Sequence, residues 1–268
     1  MRENLSPETI AIVKATGPAL RRHGVEITTR MYARLFEDAS IKDMFDQAAQ
    51  LLKKGEADRA VCLMDIADDW GKQYDIYLYV QTYDAAIRFA KEFPDTLWCY
   101  GNHDLSYPWQ CKESGYSPIA PRVVCEKLEE LRKVLPDEGQ MAYLQRADNV
   151  LFSHGGLADA FVRKYVPSKQ YNDVDAVLET VNGFERWIMW QDMSPIWLRP
   201  QYSHEKMYKP RKLLQVVGHT PVRSIERIGN LISCDTFSTY SNGERFGNRE
   251  FTVVDTKTWE HKGIYYLG

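Results

Sequence analysis

Four short apolar runs of the sequence, each with the pattern of a buried β-strand, end in polar residues that can bind a metal ion. The first run ends at Asp65, the second at Asn102 and His103, the third at His154 and the fourth at His219. In an open α/β sheet, the carboxyl ends of the strands form the edge where ligands bind. Strand ends have no structural reason to collect imidazoles, so we expect these five residues to converge on one site.

The donor atoms of this predicted site are of mixed type: carboxylate, amide and imidazole. Such a set suits Mn²⁺, Fe²⁺ or Zn²⁺, whereas an all-oxygen set would favour Mg²⁺ or Ca²⁺. Two such ions, ~3.5–4 Å apart and bridged by a carboxylate, can clamp a phosphoryl group and generate hydroxide from water at neutral pH. The pattern therefore predicts a site for divalent metal ions, with Mn²⁺ favoured, and hydrolysis of phosphate esters as its reaction.

Composition and charge narrow the classes of protein that this chain can belong to. Its 268 residues are 44% hydrophobic and 26% charged, which is typical of a globular protein with a substantial core. A formal net charge of -3 without a basic stripe argues against a nucleic-acid scaffold as partner. No segment approaches the ~18 apolar residues of a membrane span, and no apolar signal region begins the chain. Five cysteines without CxxC spacing favour reduced thiols, so we expect a cytoplasmic protein.

The order of the predicted elements indicates a layered α/β fold preceded by helices. Residues 6–50 have the apolar spacing of helices, with an N-cap at Ser6 followed by Pro7. Beyond them, strands alternate with helices and the chain ends in a β-rich region. The predicted helices are 79–93, 121–135 and 172–190, and the predicted strands are 60–63, 96–100, 149–152, 213–217, 224–228, 231–234, 250–255 and 263–267.

Taken in order, the polar strand ends resemble the motifs of the calcineurin-like metallophosphoesterases, and most of all those of the serine/threonine protein phosphatase branch. The motifs are Asp65-x-x-Asp68, Gly101-Asn102-His103-Asp104, Ser153-His154-Gly155-Gly156 and Gly218-His219-Thr220-Pro221. The resemblance covers about residues 46–268. It implies an α/β (α+β) fold, in which a two-sheet β-sandwich is flanked by helices. It also implies an enzyme that hydrolyses phosphate monoesters of a phosphoprotein or of a small phosphorylated substrate.

The resemblance also implies which residues hold the metal ions. Asp65 would be the carboxylate that bridges two ions. Asn102, His154 and His219 would complete the second metal site together with Asp65.

Three further residues receive catalytic roles from the same resemblance. His103 would protonate the leaving group, and Asp68 would orient its imidazole. Arg199 resembles the arginine that holds the phosphate in such enzymes, a task for which a planar guanidinium fork is well suited.

The sequence departs from the family pattern at the first metal site. The family places an Asp-x-His-Gly motif a little under thirty residues before the bridging aspartate, and Asp38 stands at that spacing. Ser40 replaces the histidine, Ile41 replaces the glycine, and the residues before them have a helical pattern. Met64 also replaces the glycine expected before Asp65. We therefore expect Asp38 to be a weak candidate ligand, and the activity to be reduced.

The same departures motivate an alternative hypothesis of a different class. With serine at position 40 and methionine at position 64, the chain could be a non-catalytic phosphoesterase-like module that binds a partner or one metal ion. A phosphorylated substrate is the partner expected under the catalytic hypothesis, and no feature of the sequence predicts an oligomeric state.

About the first fifty residues resemble a different family, the bacterial flavohaemoglobins. Residues 5–16, 23–28, 31–36 and 44–48 are similar to the opening helices of that family, in which Tyr32 would line the haem pocket and Phe45 would pack on the porphyrin. Haem needs an axial ligand on a later helix, but the next histidine after His23 is His103, which is already assigned to the metal site. We expect no haem, and divide the chain into a globin-like helical segment (1–45) and a metallophosphoesterase domain (46–268).

Overall fold

The computed structural model of the chain describes residues 41–242 and 244–265. Asp38, Ser40 and most of the globin-like segment therefore lie outside the described residues. The described helices are α1 (Ile41–Lys53), α2 (Ile76–Glu92), α3 (Asn102–Ser106), α4 (Pro121–Val134), α5 (Asp159–Tyr165), α6 (Val174–Asn182), α7 (Arg186–Met189) and α8 (Pro200–Ser203). None of them is long and apolar enough to cross a membrane.

The described strands form three hydrogen-bonded sheets. They are β1 (Val61–Cys62), β2 (Leu97–Cys99), β3 (Met141–Ala142), β4 (Leu144–Ala147), β5 (Val150–Ser153), β6 (Leu214–Pro221), β7 (Glu226–Ile228), β8 (Leu231–Asp235), β9 (Phe251–Val254) and β10 (His261–Ile264). The first sheet has the order β1-β2-β3, the second β4-β5-β6-β8-β7, and β9 and β10 form an antiparallel pair. The mixed α/β class predicted from the sequence is confirmed.

Parallel pairing explains why helices α2 and α4 separate the strands of the first sheet. Strand β1 pairs in parallel with β2, and β2 pairs in parallel with β3. A parallel pair needs a crossover connection, usually a helix, and α2 and α4 supply the two crossovers. The carboxyl ends of β1 and β2 consequently lie at the same edge, and these are the ends that deliver Asp65 and Asn102.

Side chains from the first two sheets meet in one apolar cluster. Cys99 of β2 packs with Val150 and Phe152 of β5 and with Val216 of β6, and Leu63, just beyond β1, packs against them. Contact between the inner faces brings the carboxyl ends of β1, β2, β5 and β6 close together. These four ends carry the predicted metal ligands.

Helix α1 joins the apolar core through one of its faces. Phe45 is 3% exposed, and its ring centroid lies 5.5 Å from that of Phe89 and 5.9 Å from that of Trp98. Ala49, one turn later, is also buried in this cluster. The helix runs across positions 45 and 46, where the sequence suggested a domain boundary, and the division into two domains stays a prediction.

Several elements differ from the sequence-based expectation, each for a local reason. The single helix predicted over 172–190 is two helices, because α6 ends at Gly183 and Phe184 turns to pack on Phe161. Strand β4 was not predicted because its sequence, Leu-Gln-Arg-Ala, lacks the β-branched and aromatic residues that favour strands. Its hydrogen bonds come from antiparallel pairing with β5, a tertiary contact that local sequence does not encode.

The buried position of Phe45 predicts a large loss of stability when its ring is removed. Phe45→Ala should lower the free energy of unfolding by about 3–5 kcal/mol, because it leaves a cavity between Phe89 and Trp98. Urea unfolding followed by tryptophan fluorescence measures the change. Ile228→Ala, at a side chain that is 65% exposed, is the matched control and should change stability by less than about 0.5 kcal/mol. Equal unfolding midpoints for the two variants would contradict the prediction.

Candidate metal centre

The strand-end residues predicted from the sequence come together in the structure. Asp65, His154 and His219 each offer a ligand atom, and these atoms lie within 4.8 Å of one another. Asn102 joins them, because its Oδ1 lies 3.1 Å from Nε2 of His154. Asn102, His154 and His219 are buried, whereas the Asp65 side chain is partly exposed. The group is therefore open to solvent on the side of the carboxylate.

The contacts of His154 show that this group needs a positive charge. Its Nδ1 lies 2.7 Å from the carbonyl oxygen of Leu63, which can only accept a hydrogen bond, so Nδ1 carries the proton. Its Nε2 lies 3.0 Å from Asp65 Oδ2, 3.1 Å from Asn102 Oδ1 and 3.0 Å from His219 Nδ1. In a neutral imidazole, Nε2 would direct its lone pair at the oxygen atoms of Asp65 and Asn102. A cation among these atoms, either a proton or a metal ion, removes that repulsion.

Asp65 is presented to the group by an unusual backbone conformation. Met64 and Asp65 both have positive φ, 53° and 58°. This left-handed region costs about 1–2 kcal/mol for a residue with a side chain. The Asp104 carboxylate stabilises the turn, because it accepts hydrogen bonds from the backbone N–H groups of Asp65 (2.6 Å) and Ile66 (3.2 Å). The Met64 side chain does not prevent the turn, although the family pattern has a glycine at this position.

Gly101 allows the Asp65 turn and the start of α3 to approach each other. A Cβ atom on Gly101 would lie 2.1 Å from Asp65 Oδ1 and 2.6 Å from Asp65 N, closer than atoms can come. The same approach lets the backbone N–H of His103 donate to Asp65 Oδ1 at 3.0 Å. One carboxylate oxygen of Asp65 is thus fixed by the protein, while the other faces His154.

His219 lies within a strand and not beyond its end, where the sequence placed it. Strand β6 continues to Pro221, but its register with β8 shifts between Val217 and Pro221, and His219 has a φ of 59°. A bulge of this kind redirects a side chain, and here it turns Nδ1 of His219 toward His154. Nε2 of His219 is buried without a hydrogen-bond partner among the described residues. Burial and the nearby His154 lower the pKa of His219 to about 2, so this imidazole is neutral and can act as a ligand.

His103 and Asp68 form a second pair beside the metal ligands. Nδ1 of His103 lies 2.9 Å from Oδ2 of Asp68. Burial alone would lower the pKa of His103, but the carboxylates of Asp65 and Asp68 raise it to about 9. With Nδ1 directed at Asp68, the other ring nitrogen is the atom available for proton transfer.

Arg199 lies beside His219. Its Nη1 donates to the carbonyl oxygen of His219 at 2.8 Å and contacts Oγ1 of Thr220 at 3.4 Å. Nε and Nη2 of the guanidinium make no hydrogen bond to the described residues. Arg199 is the N-cap residue of α8, which begins at Pro200. The residue predicted to hold phosphate is thus anchored next to a predicted ligand by one end of its guanidinium.

The two neighbouring carboxylates of the centre have opposite electrostatic environments. For Asp65, burial would raise the pKa, but the imidazoles of His154 and His103 outweigh it and lower the pKa. For Asp104, burial and the charge of Asp65 together raise the pKa to about 7. Asp65 is therefore the carboxylate that stays ionised and can bind a cation.

Four residues that hold the centre received no role from the sequence. Asp104 stands in a recognised motif, and only the structure shows that it accepts hydrogen bonds from the Asp65 turn. Tyr83 donates to Asp104, and Tyr79 and Tyr107 donate to Asp68. Tyr79 and Tyr83 on α2 have the pattern of an ordinary apolar helix face, and Tyr107 follows the short helix α3, so no local signal distinguishes them.

The folded arrangement and the ligand group define a metallophosphoesterase type of protein, and comparison with known families agrees. Residues 34–252 match the sequence profile of the family described as calcineurin-like phosphoesterase. The chain belongs to this family, and the resemblance seen in the motifs is confirmed. Among solved structures, the cold-active protein-tyrosine phosphatase of a psychrophilic Shewanella species aligns with 77% of this chain and 69% of its own, at 13% identity and a TM-score of 0.45.

The second resemblance is confirmed as a short partial match. The flavohemoprotein of Xylella fastidiosa strain Temecula1 is 48% identical over 50 residues, which are 19% of this chain and 13% of that protein. An uncharacterized globin-like protein of Aquifex aeolicus is 47% identical over 47 residues, 17% of this chain and 34% of its own. The chain thus spans about an eighth of the length of the flavohemoprotein that it matches.

The close approach at Gly101 predicts that a single methyl group disrupts the centre. Gly101→Ala should displace Asp65 and abolish divalent metal binding, which calorimetric titration of the metal-free protein with MnCl₂ would measure. Gly183→Ala is the control, because a Cβ there would meet its nearest neighbours at 3.5 Å, an ordinary contact. Unchanged affinity in Gly101→Ala would show that Asp65 does not bind the metal from this position.

Proposed function

We propose that this chain hydrolyses phosphate monoesters at the centre formed by Asp65, Asn102, His154 and His219, with a divalent metal ion as cofactor. The observation that carries the proposal is the arrangement around His154 Nε2, where a carboxylate oxygen, an amide oxygen and an imidazole nitrogen lie within 3.0–3.1 Å. Membership of the calcineurin-like phosphoesterase family supplies the reaction class. The predicted two-layer sandwich is part of the proposal, supported by the apolar cluster that the two larger sheets share.

The residues of the centre fit a metal ion on the chemistry of their donor atoms. Carboxylate, amide and imidazole donors together suit Mn²⁺, Fe²⁺ or Zn²⁺, and Mn²⁺ is the ion that we propose. The Nδ1–H bond to Leu63 fixes the tautomer of His154 and directs Nε2 at the ion, as a backbone carbonyl commonly does for a ligand histidine. A bound ion would polarise the phosphoryl group and lower the pKa of water.

The remaining roles follow from the geometry beside the ligands. His103, held by Asp68 through Nδ1, would protonate the oxygen of the leaving group. Arg199 would hold the phosphate with the part of its guanidinium that is not bonded to His219. Both side chains lie next to the ligand group. His103 follows Asn102 in the chain, and Arg199 donates a hydrogen bond to the carbonyl oxygen of His219.

We propose that the activity is lower than that of a relative with an intact Asp-x-His-Gly motif. Asp65 is the only predicted ligand of the first metal site among the described residues, because Asp38 lies outside them. One ion held by four ligands can still polarise a phosphoryl group, but it lacks the second ion that would share the developing charge. The non-catalytic module remains the alternative, and it predicts metal binding without turnover.

Metal stoichiometry tests the proposed ligand set. Calorimetric titration of the metal-free protein with MnCl₂ should give one ion per chain, and His154→Ala should abolish binding because it removes the central ligand. His204→Asn is the control, since His204 is exposed and its left-handed conformation suits asparagine. Two ions per chain would contradict an impaired first site, and binding that survives His154→Ala would contradict the ligand set.

Turnover of p-nitrophenyl phosphate tests the reaction. Release of p-nitrophenol should require Mn²⁺, and His103→Ala should lower kcat by roughly 10²-fold, the usual contribution of a general acid. His204→Asn should keep the full rate. Turnover without metal, or an unchanged rate in His103→Ala, would rule out the mechanism, and metal binding without any turnover would favour the non-catalytic module.

A further inference from the structure

Helix α2 presents two buried tyrosines, one turn apart, to two different carboxylates behind the candidate centre. Tyr79 is 2% exposed and Tyr83 is 0% exposed. Residues four apart lie on the same helix face, so both hydroxyl groups point toward the centre. The Tyr79 hydroxyl donates to Asp68 Oδ1 at 3.1 Å, and the Tyr83 hydroxyl donates to Asp104 Oδ1 at 2.8 Å.

The Tyr83 contact leads to the metal ligand Asp65. Asp104 Oδ1 accepts from both Tyr83 and the backbone N–H of Ile66, and Oδ2 accepts from the backbone N–H of Asp65. The carboxylate therefore bridges the rigid helix α2 and the left-handed turn that aims Asp65. Asp104 itself is 0% exposed, so water cannot replace the Tyr83 hydroxyl.

The Tyr79 contact leads instead to His103. Asp68 Oδ1 accepts from Tyr79 and from Tyr107, while Oδ2 faces Nδ1 of His103. The direction of the Tyr107 bond is fixed, because its oxygen accepts from the backbone N–H of Ser117 and its proton is directed to Asp68. Two phenol groups thus hold the carboxylate that orients the imidazole.

We infer that helix α2 positions the two halves of the centre separately: Tyr83 acts through Asp104 on the metal ligand Asp65, and Tyr79 acts with Tyr107 through Asp68 on His103. All three tyrosines are positioning residues, since none of them contacts a predicted metal ligand or His103 directly. The assignment of the two halves to metal binding and to proton transfer rests on the proposed function. The two hydrogen-bond paths themselves do not.

The two hydrogen-bond paths act separately because each passes through a different buried carboxylate, Asp104 or Asp68. A buried carboxylate that loses a donor must find another partner or move, because unpaired acceptors in a low-dielectric interior are unfavourable. Asp68 and Asp104 share no tyrosine donor, so removing one hydroxyl disturbs one carboxylate. Replacing tyrosine with phenylalanine keeps the ring in the core, so packing is preserved while the hydrogen bond is lost.

The metal-free protein provides a test that does not depend on activity. In Tyr83→Phe, amide hydrogen exchange at Asp65 and Ile66 should accelerate by roughly tenfold, while the ¹⁵N resonances of the His103 ring stay unchanged. In Tyr79→Phe and Tyr107→Phe, alone and combined, the His103 ring resonances should shift and the two amides should keep their protection. Losing one hydrogen bond changes an equilibrium by up to about tenfold, which sets the scale of the expected change in exchange.

Metal affinity and kinetics give the second pair of readouts. Tyr83→Phe should raise the Kd for Mn²⁺ by about tenfold, with an unchanged ratio of kcat for phenyl phosphate to kcat for p-nitrophenyl phosphate. Tyr79→Phe with Tyr107→Phe should leave the Kd unchanged and lower that ratio by about tenfold, because phenol is the poorer leaving group and depends more on protonation. A merely structural role would not move the ratio.

Tyr208→Phe removes an equally buried hydroxyl, which donates to the carbonyl oxygen of Tyr171, and it should change none of the four readouts. If Tyr83→Phe and Tyr79→Phe alter the same readouts, or if neither alters any, the inference is wrong. If the wild-type protein turns over neither ester, the proposed function fails, while exchange and ring resonances of the metal-free protein still decide the inference.

Discussion

The hydrogen bonds from the Asp65 turn to the Asp104 carboxylate hold the rest of the centre in place. Two consecutive left-handed residues, Met64 and Asp65, cost about 1–2 kcal/mol each. A hydrogen bond contributes about 0.5–1.5 kcal/mol to stability, and Asp104 accepts two from this turn. The stabilisation is of the same size as the strain. The turn can therefore exist without the glycine that the family places at position 64.

The two neighbouring carboxylates, Asp65 and Asp104, have different roles. Asp104 is enclosed by hydroxyl and amide donors, and burial with the charge of Asp65 raises its pKa to about 7. Burial acts in the same direction on Asp65, but the imidazoles of His154 and His103 outweigh it and lower its pKa. Neighbouring titratable groups whose pKa values are driven apart take different roles. Asp65 is the carboxylate that can bind a cation, and Asp104 holds the backbone turn on which Asp65 stands.

The predicted ligands could be recognised from the sequence, but the residues that hold them in place could not. Asp65, Asn102, His154 and His219 were predicted because strand ends in an α/β fold converge, and this convergence follows from chain connectivity. Tyr83 could not be predicted, because a tyrosine on a helix face has the same local pattern whether its hydroxyl meets a carboxylate or solvent. The position of His219 within β6 was missed as well, because a bulge depends on pairing with β8, which is distant in sequence.

The supports of Asp65, His154 and His219, three of the proposed ligands, all come from one part of the chain. Asp65 is held by Asp104 and His103, His154 by Leu63, and His219 by the irregular register of β6. Each of these contacts is made by residues between β1 and β8, whereas Asp38 lies outside the described residues. The part of the chain between β1 and β8 therefore holds these three side chains in place by its own hydrogen bonds and strand register.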